Sequence, residues 1–136
     1  MSIQLEGLSD ILKTLQDKVS QERIDDALTD ACLIIERRAK ELAPKGNGEL
    51  RRSITSEVNG GEGVVYTPLE YAPYVEFGTG LFAEEGGRTD VPWCYKDDKG
   101  EWHTTSGMKP QPFMRPALDQ CREDVFKIFG RVLKDG

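Results

Sequence analysis

The sequence predicts an α+β fold: a small antiparallel β-sheet packed against one long helix and a C-terminal helix, with a projecting loop or hairpin. Three observations predict it. Apolar residues recur at helical spacing through residues 20–43, and do so again beyond residue 114. Between these stretches lie short alternating runs separated by glycine-rich turns, the pattern of hairpins.

In chain order, Ile3 and Leu5 alternate with Gln4 and Glu6 before Gly7, which predicts a short first strand. Leu8, Ile11, Leu12, Leu15 and Val19 then form the stripe of a short helix over residues 8–19. The segment from Ser20 to Ala43 is the best-defined element. Ser20 suits an N-cap, Ile24, Ala27, Leu28, Ala31, Ile35, Ala39 and Leu42 share one face, and Pro44 stops the helix. Glu22, Asp25 and Asp26 lie toward its positive end and Arg37, Arg38 and Lys40 toward its negative end, in agreement with the macrodipole. Such a helix spans roughly 35 Å at ~1.5 Å per residue, one side of a small domain, and is the element on which a sheet should pack.

After a turn at Gly46-Asn47-Gly48, residues 53–58 alternate, residues 59–63 turn, and Val64 to Thr67 resume as a strand, giving a β-hairpin with a flexible loop. The aromatic stretch from Leu69 to Phe77 ends in Gly78-Thr79-Gly80. This predicts a helical turn followed by a left-handed residue, with Gly78 and Gly80 as structural turn positions. Residues 81–112 are irregular, but Trp93 to Lys96 and Glu101 to Thr105 flank Asp97-Asp98-Lys99-Gly100, which predicts a second, projecting hairpin. The last helix starts near Met114-Arg115-Pro116, with proline at a first helical position, and carries Leu118, Cys121, Val125, Ile128, Phe129 and Val132. The expectation is one domain over residues 1–136, with 81–107 as a flexible loop or hairpin insertion.

At 136 residues one core suffices, and 38% hydrophobic with 31% charged residues describes a globular chain with a thin core. A net charge of -6 disfavours phosphate neutralisation by the whole chain, so nucleic acid is not the expected ligand. No run of ~18 apolar residues and no basic-then-apolar leader is present, so neither insertion nor signal-directed secretion is expected. Cys32, Cys94 and Cys121 are odd in number and far apart, which fits thiols in a reducing compartment. Cys32 and Cys121 fall on apolar helical faces, as small hydrophobes do.

Catalysis near neutrality usually needs a titrating group with a positioned partner, and His103 is the one histidine. It reads as a surface strand residue, so no catalytic residue is assigned and no enzyme is expected. Cys94 and His103 lack two further ligands for zinc, and Glu84-Glu85 and Asp97-Asp98 lack calcium-loop spacing, so no metal and no cofactor are expected. Gly78-Thr79-Gly80 lacks the third glycine of a dinucleotide fingerprint and the Lys-Ser/Thr of a phosphate loop. Arg37, Arg38, Lys40, Lys45, Arg51 and Arg52, interrupted by Glu36, Glu41 and Glu49, form either a solvated face or a contact for an acidic neighbouring subunit. Tyr71, Tyr74, Phe77, Phe82, Trp93, Tyr95, Trp102 and Phe113 either fill the thin core or anchor an interface. The candidate subunit or partner interface is therefore Arg37, Arg38, Arg51, Arg52, Tyr71, Tyr74, Phe77, Trp93, Tyr95 and Trp102.

Three pieces in order carry a family resemblance: Arg38-Ala39-Lys40-Glu41-Leu42-Ala43-Pro44 leading to Gly48-Glu49-Leu50-Arg51-Arg52-Ser53-Ile54, then residues 71–80 (Tyr-Ala-Pro-Tyr-Val-Glu-Phe-Gly-Thr-Gly), then residues 110–118 (Pro-Gln-Pro-Phe-Met-Arg-Pro-Ala-Leu). Over residues 20–135 the chain resembles the neck and tail-completion proteins of bacteriophages and prophages with long non-contractile tails. The resemblance implies a structural virion assembly protein at the head–tail junction or tail end, completing the tail and lining or sealing the DNA channel. It further implies a homo-oligomeric ring joined to other neck, connector or tail-tube proteins, with DNA only as passing cargo and no membrane. Its location would be the host cytoplasm during assembly and then the virion. An acidic ring repels the DNA backbone, which suits a channel through which DNA slides. The alternative is a small host-directed protein-binding module, inhibitor- or antitoxin-like, encoded by a prophage.

Overall fold

The computed structural model describes residues 1–4, 20–46, 48–84, 91–97 and 99–135. The chain is α+β and divides into two compact units, one of residues 1–69 with 113–136 and one of residues 70–112. The helix expected over residues 8–19 lies outside the described residues.

The first unit is built on α1, Gln21–Leu42. Ser20, in an extended conformation, accepts the Arg23 N–H at 3.4 Å and so satisfies one of the orphan donors at the helix start. Ile24, Ala27, Leu28, Ala31, Cys32, Ile35 and Ala39 are buried at three- and four-residue spacing, which makes one continuous apolar face. Each large side chain among them contributes ~1.5–3 kcal/mol on leaving water. The Ala43 N–H closes the last turn on the Ala39 carbonyl at 2.9 Å, and Pro44 prevents a further one.

Antiparallel strands β1 (Ser2–Gln4), β2 (Thr55–Asn59) and β3 (Glu62–Tyr66) form a sheet in the order β1-β3-β2. Val65, fully buried on the central strand, stands opposite Ile3 and Ser56 in the register. The expected flexible loop between β2 and β3 is instead a two-residue turn. Gly60 and Gly61 both take positive φ, +54° and +90°, the combination that matches the twist of a tight hairpin. The Gly61 N–H also donates to Asp25 Oδ1 at 2.9 Å, which fastens the turn to α1.

The stretch after Gly48 holds a short helix that the sequence pattern does not reveal, α2 (Glu49–Ser53). Gly48 at φ +79° turns the chain into it, and Leu50 is its buried residue. Ser53 Oγ donates to the Leu50 carbonyl at 2.6 Å, which uses its one hydrogen, so Thr67 Oγ1, 2.7 Å away, is the donor between the two hydroxyls. Thr67 Oγ1 in turn accepts the Leu69 N–H at 3.3 Å. This chain of bonds satisfies a threonine that is 1% exposed and ties α2 to the end of β3.

The C-terminal helix α3, Met114–Asp135 in the first unit, packs on α1, as β2 and β3 do. Its seam is Met114, Ala117, Cys121, Val125 and Phe129, while Leu118, Ile128 and Val132 of the expected stripe are half-buried. Small residues at 117 and 121 let the backbone approach α1 closely, which rotates the helix toward them. Cys121 Sγ lies 3.8 Å from the Ile34 carbonyl, and Arg38 Nε donates to Gln120 Oε1 at 2.5 Å. Pro116 is the third helical residue, not the first, a position where its missing N–H is still among the unbonded ones.

The second unit holds a short helix of six residues, Ala72–Phe77, a 3₁₀ turn at Gly80–Phe82, and the antiparallel hairpin β4 (Trp93–Lys96) and β5 (Trp102–Thr105). The hairpin is where the sequence predicts it.

The packing of α3 yields a contrast within one helix and one residue type. Phe129 is 2% exposed and Phe126 is 49% exposed. Phe129→Ala should lose ~3–5 kcal/mol in a urea titration and Phe126→Ala less than ~1 kcal/mol; equal losses would show that α3 is rotated from the position described.

Candidate functional site

The four arginines assigned to one interface divide between two tasks. Arg38 donates to Glu41 at 2.8 Å and to Gln120, so it links α1 to α3. Arg51 Nε donates to the Lys40 carbonyl at 3.0 Å, which satisfies an orphan acceptor at the end of α1 and sets the angle of α2. Arg37 and Arg52 are exposed. Lys45, just past α1, is exposed too.

A groove of about 550 Å³ runs beside this end of α1, lined by the cations Arg37, Lys40, Lys45 and Arg51 and the carboxylates Glu36 and Glu41. Leu33, 46% exposed, is its apolar wall. Lys40 pairs with Glu36 at 3.5 Å, while Glu41 pairs with Arg38, which is not among the lining residues. The groove therefore keeps a cationic excess. Sequence reading missed Leu33, whose signal is an apolar residue off the buried stripe of α1.

The second unit carries the apolar surface. Of the eleven large hydrophobic side chains exposed among the described residues, Tyr71, Tyr74, Phe77, Leu81, Phe82, Tyr95, Trp102 and Met108 lie in residues 70–112. Trp102 at 70% and Tyr74 at 60% are the most open of them. Trp93 is half-buried. Phe113, placed by the sequence among the possible anchors, is fully buried in the first unit and belongs to its core.

In the hairpin, Tyr95 stands opposite His103 and Lys96 opposite Trp102. Alternation puts Trp93, Tyr95, His103 and Thr105 on one face and Cys94, Lys96, Trp102 and Thr104 on the other. Tyr95 and His103 stack with ring centroids 5.4 Å apart. Asp97 organises the turn: Oδ1 accepts the N–H groups of Lys99 (2.9 Å) and Glu101 (2.8 Å), and Oδ2 lies 2.6 Å from His103 Nε2. The His103 hydrogen bond first, and then the backbone donors, hold the Asp97 carboxyl below its ordinary range. Asp97, Glu101 and His103 offer ligand atoms within 4.8 Å of one another, and the Asp97–His103 hydrogen bond accounts for two of the three. Burial pushes the Cys32 thiol up to about 11 and also raises Cys121, so neither is poised as a nucleophile.

Gly78 and Gly80 sit where the structure needs glycine. Gly78 has φ +83° with an extended ψ of 173°, which differs from the left-handed helical residue expected, and Gly80 has φ +62°. A Cβ on Gly78 would lie 2.9 Å from the Met108 and Phe82 carbonyl oxygens and from Pro110 Cδ; one on Gly80 would overlap the Ser106 carbonyl. The close approach is made by backbone bonds: Thr79 N–H to Met108 O at 2.9 Å, Leu81 N–H to Ser106 O at 3.0 Å, and Gln111 N–H to Val75 O at 2.8 Å. Met108 N–H returns to Thr79 Oγ1 at 2.9 Å.

A family model described as "Bacteriophage HK97-gp10, putative tail-component" matches residues 6–78, more than half of the chain. No curated protein and no solved structure matches.

Two outcomes follow from this geometry. Gly78→Ala and Gly80→Ala should each cost more than ~3 kcal/mol and speed amide exchange at Thr79 and Leu81, whereas Gly60→Ala, with positive φ but open space around it, should cost ~1–2 kcal/mol; a mild Gly80→Ala would break the docking of this turn. Because the folded Asp97 pKa is depressed, its stabilisation is present above the ordinary carboxylate pKa of ~3.9 and is lost as pH falls through the lower folded value. The Lys99 and Glu101 amide resonances should report that acid transition in the parent and lose it in Asp97→Asn.

Proposed function

This chain belongs to the bacteriophage HK97 gp10 family of tail components, and we propose that it fills that structural role as a homo-oligomeric ring at the head–tail junction or tail end. The ring completes the tail and surrounds the passing DNA. The observation that carries the reading is the concentration of exposed aromatic and aliphatic side chains in residues 70–112, eight of the eleven among the described residues. A ring repeats one heterologous contact, so every subunit must present two unlike surfaces. The basic face of α1 with Lys45 and the aromatic second unit meet that requirement, with charge setting orientation and the aromatics supplying affinity.

A family of tail components points away from an enzyme, and among the described residues no helix is long and apolar enough to cross a membrane. The net charge of -6 supports a channel wall that DNA does not adhere to. Neighbouring neck, connector or tail-tube proteins would supply the faces above and below the ring, assembled in the host cytoplasm and carried in the virion.

Charge reversal at Arg37 and Lys45 tests the joining surface without removing the Arg51 bond that shapes it. The double variant Arg37→Glu, Lys45→Glu should keep the parent circular dichroism and melting temperature, while its rings in electron micrographs and its rescue of a phage lacking the gene fall at least ~tenfold; raised salt should weaken the parent in the same direction. Normal rescue would remove the basic face from the joint, and a parent that forms only a discrete complex with a host protein would replace the ring by the host-directed reading.

A further inference from the structure

We infer that the indole of Trp102 is a knob that enters the groove beside Leu33 on a second copy of this chain, an assignment that rests on the ring reading and names its contact. Trp102 is the most exposed large apolar side chain among the described residues, at 70%. Strand pairing holds it, opposite Lys96, in a hairpin whose turn is fixed by the three bonds to Asp97. The backbone at Trp102 is thus held at a set position, which lowers the ordering cost of binding its side chain.

The groove matches this occupant in size and chemistry. Its ~550 Å³ falls in the ~300–1,000 Å³ range of sites that take a compact group, more than one indole requires. Leu33 offers an apolar wall, and the Arg37 guanidinium and the Lys40 and Lys45 ammonium groups line the same space. Indole is the strongest cation–π partner among the side chains, so this combination favours tryptophan over an aliphatic knob. Lys96, on the Trp102 face, suits the Glu36 and Glu41 carboxylates of the same groove, whereas the Glu101 carboxylate lies with Asp97 and His103 on the opposite face.

The knob lies in the unit of residues 70–112 and the groove in the other unit, so each copy carries one of each. A contact between unlike patches leaves a free knob at one end and a free groove at the other, and it repeats until the rotation closes.

Photo-crosslinking tests the pairing directly. With p-benzoylphenylalanine in place of Trp102, irradiated rings should yield covalent dimers whose joined peptide falls within residues 33–51, and dilution below the assembly threshold should abolish them. Crosslinks to any other stretch, or within one chain, would overturn the assignment. Trp102→Ala and Leu33→Glu should each raise the protein concentration for half-assembly at least ~tenfold without moving the melting temperature, the double variant should be no worse than the weaker single one, and Trp102→Phe should recover part of the loss. If Trp102→Ala assembles like the parent, the knob is wrong and the ring stands; if the parent forms no ring with or without its tail partners, the ring reading itself fails and the pairing goes with it.

Discussion

The apolar face of α1 is the surface on which the rest of the first unit is laid. Its alanines at 27, 31 and 39 let neighbours come close, and its isoleucines and leucine fill the space between them. Sheet and C-terminal helix both take their position from that one face, because neither three short strands nor a lone amphipathic helix buries enough surface by itself. The bonds from Arg38 to Gln120 and from the Gly61 N–H to Asp25 then fix orientation more than they add stability, since exposed or half-exposed polar contacts contribute little net free energy.

With one side of α1 committed to the core, its other side becomes a firm support for charge. Arg37 and Leu33 project from a helix that cannot rotate, and Lys45 follows directly after it. The second unit works by a different principle. Among its described residues, order comes from backbone hydrogen bonds and glycine close approaches, while Tyr74, Tyr95 and Trp102 are exposed. A chain with a thin core thereby separates what keeps it folded from what it exposes.

What was legible in the sequence was whatever has a local cause. A serine cap, a long apolar period and a proline stop wrote α1 almost to the residue. Paired glycines marked the β2–β3 turn, and Asp97 to Gly100 marked the second hairpin. The need for glycine at 78 and 80 was also readable from an aromatic helix ending in Gly-Thr-Gly. The helix α2 was not, because five residues are too few to show a period. Nor were the separate tasks of Arg38 and Arg51 visible, whose partners lie 82 and 11 residues away. Hydrophobicity does not say which aromatics are inside: Phe113 is core and Trp102 is open, although the two stood as equals in the sequence.

The bonds that tie residues 75–81 to 106–111 hold the two ends of the intervening stretch side by side. Most of the entropy of closing that loop is therefore spent before the loop has any particular length, and doubling it adds only ~0.6 kcal/mol. The stem acts as a socket for an exchangeable cassette. A stem of this kind tolerates lengthening, shortening or replacement of the stretch between Phe82 and Thr105, while α1 and its core stay as they are.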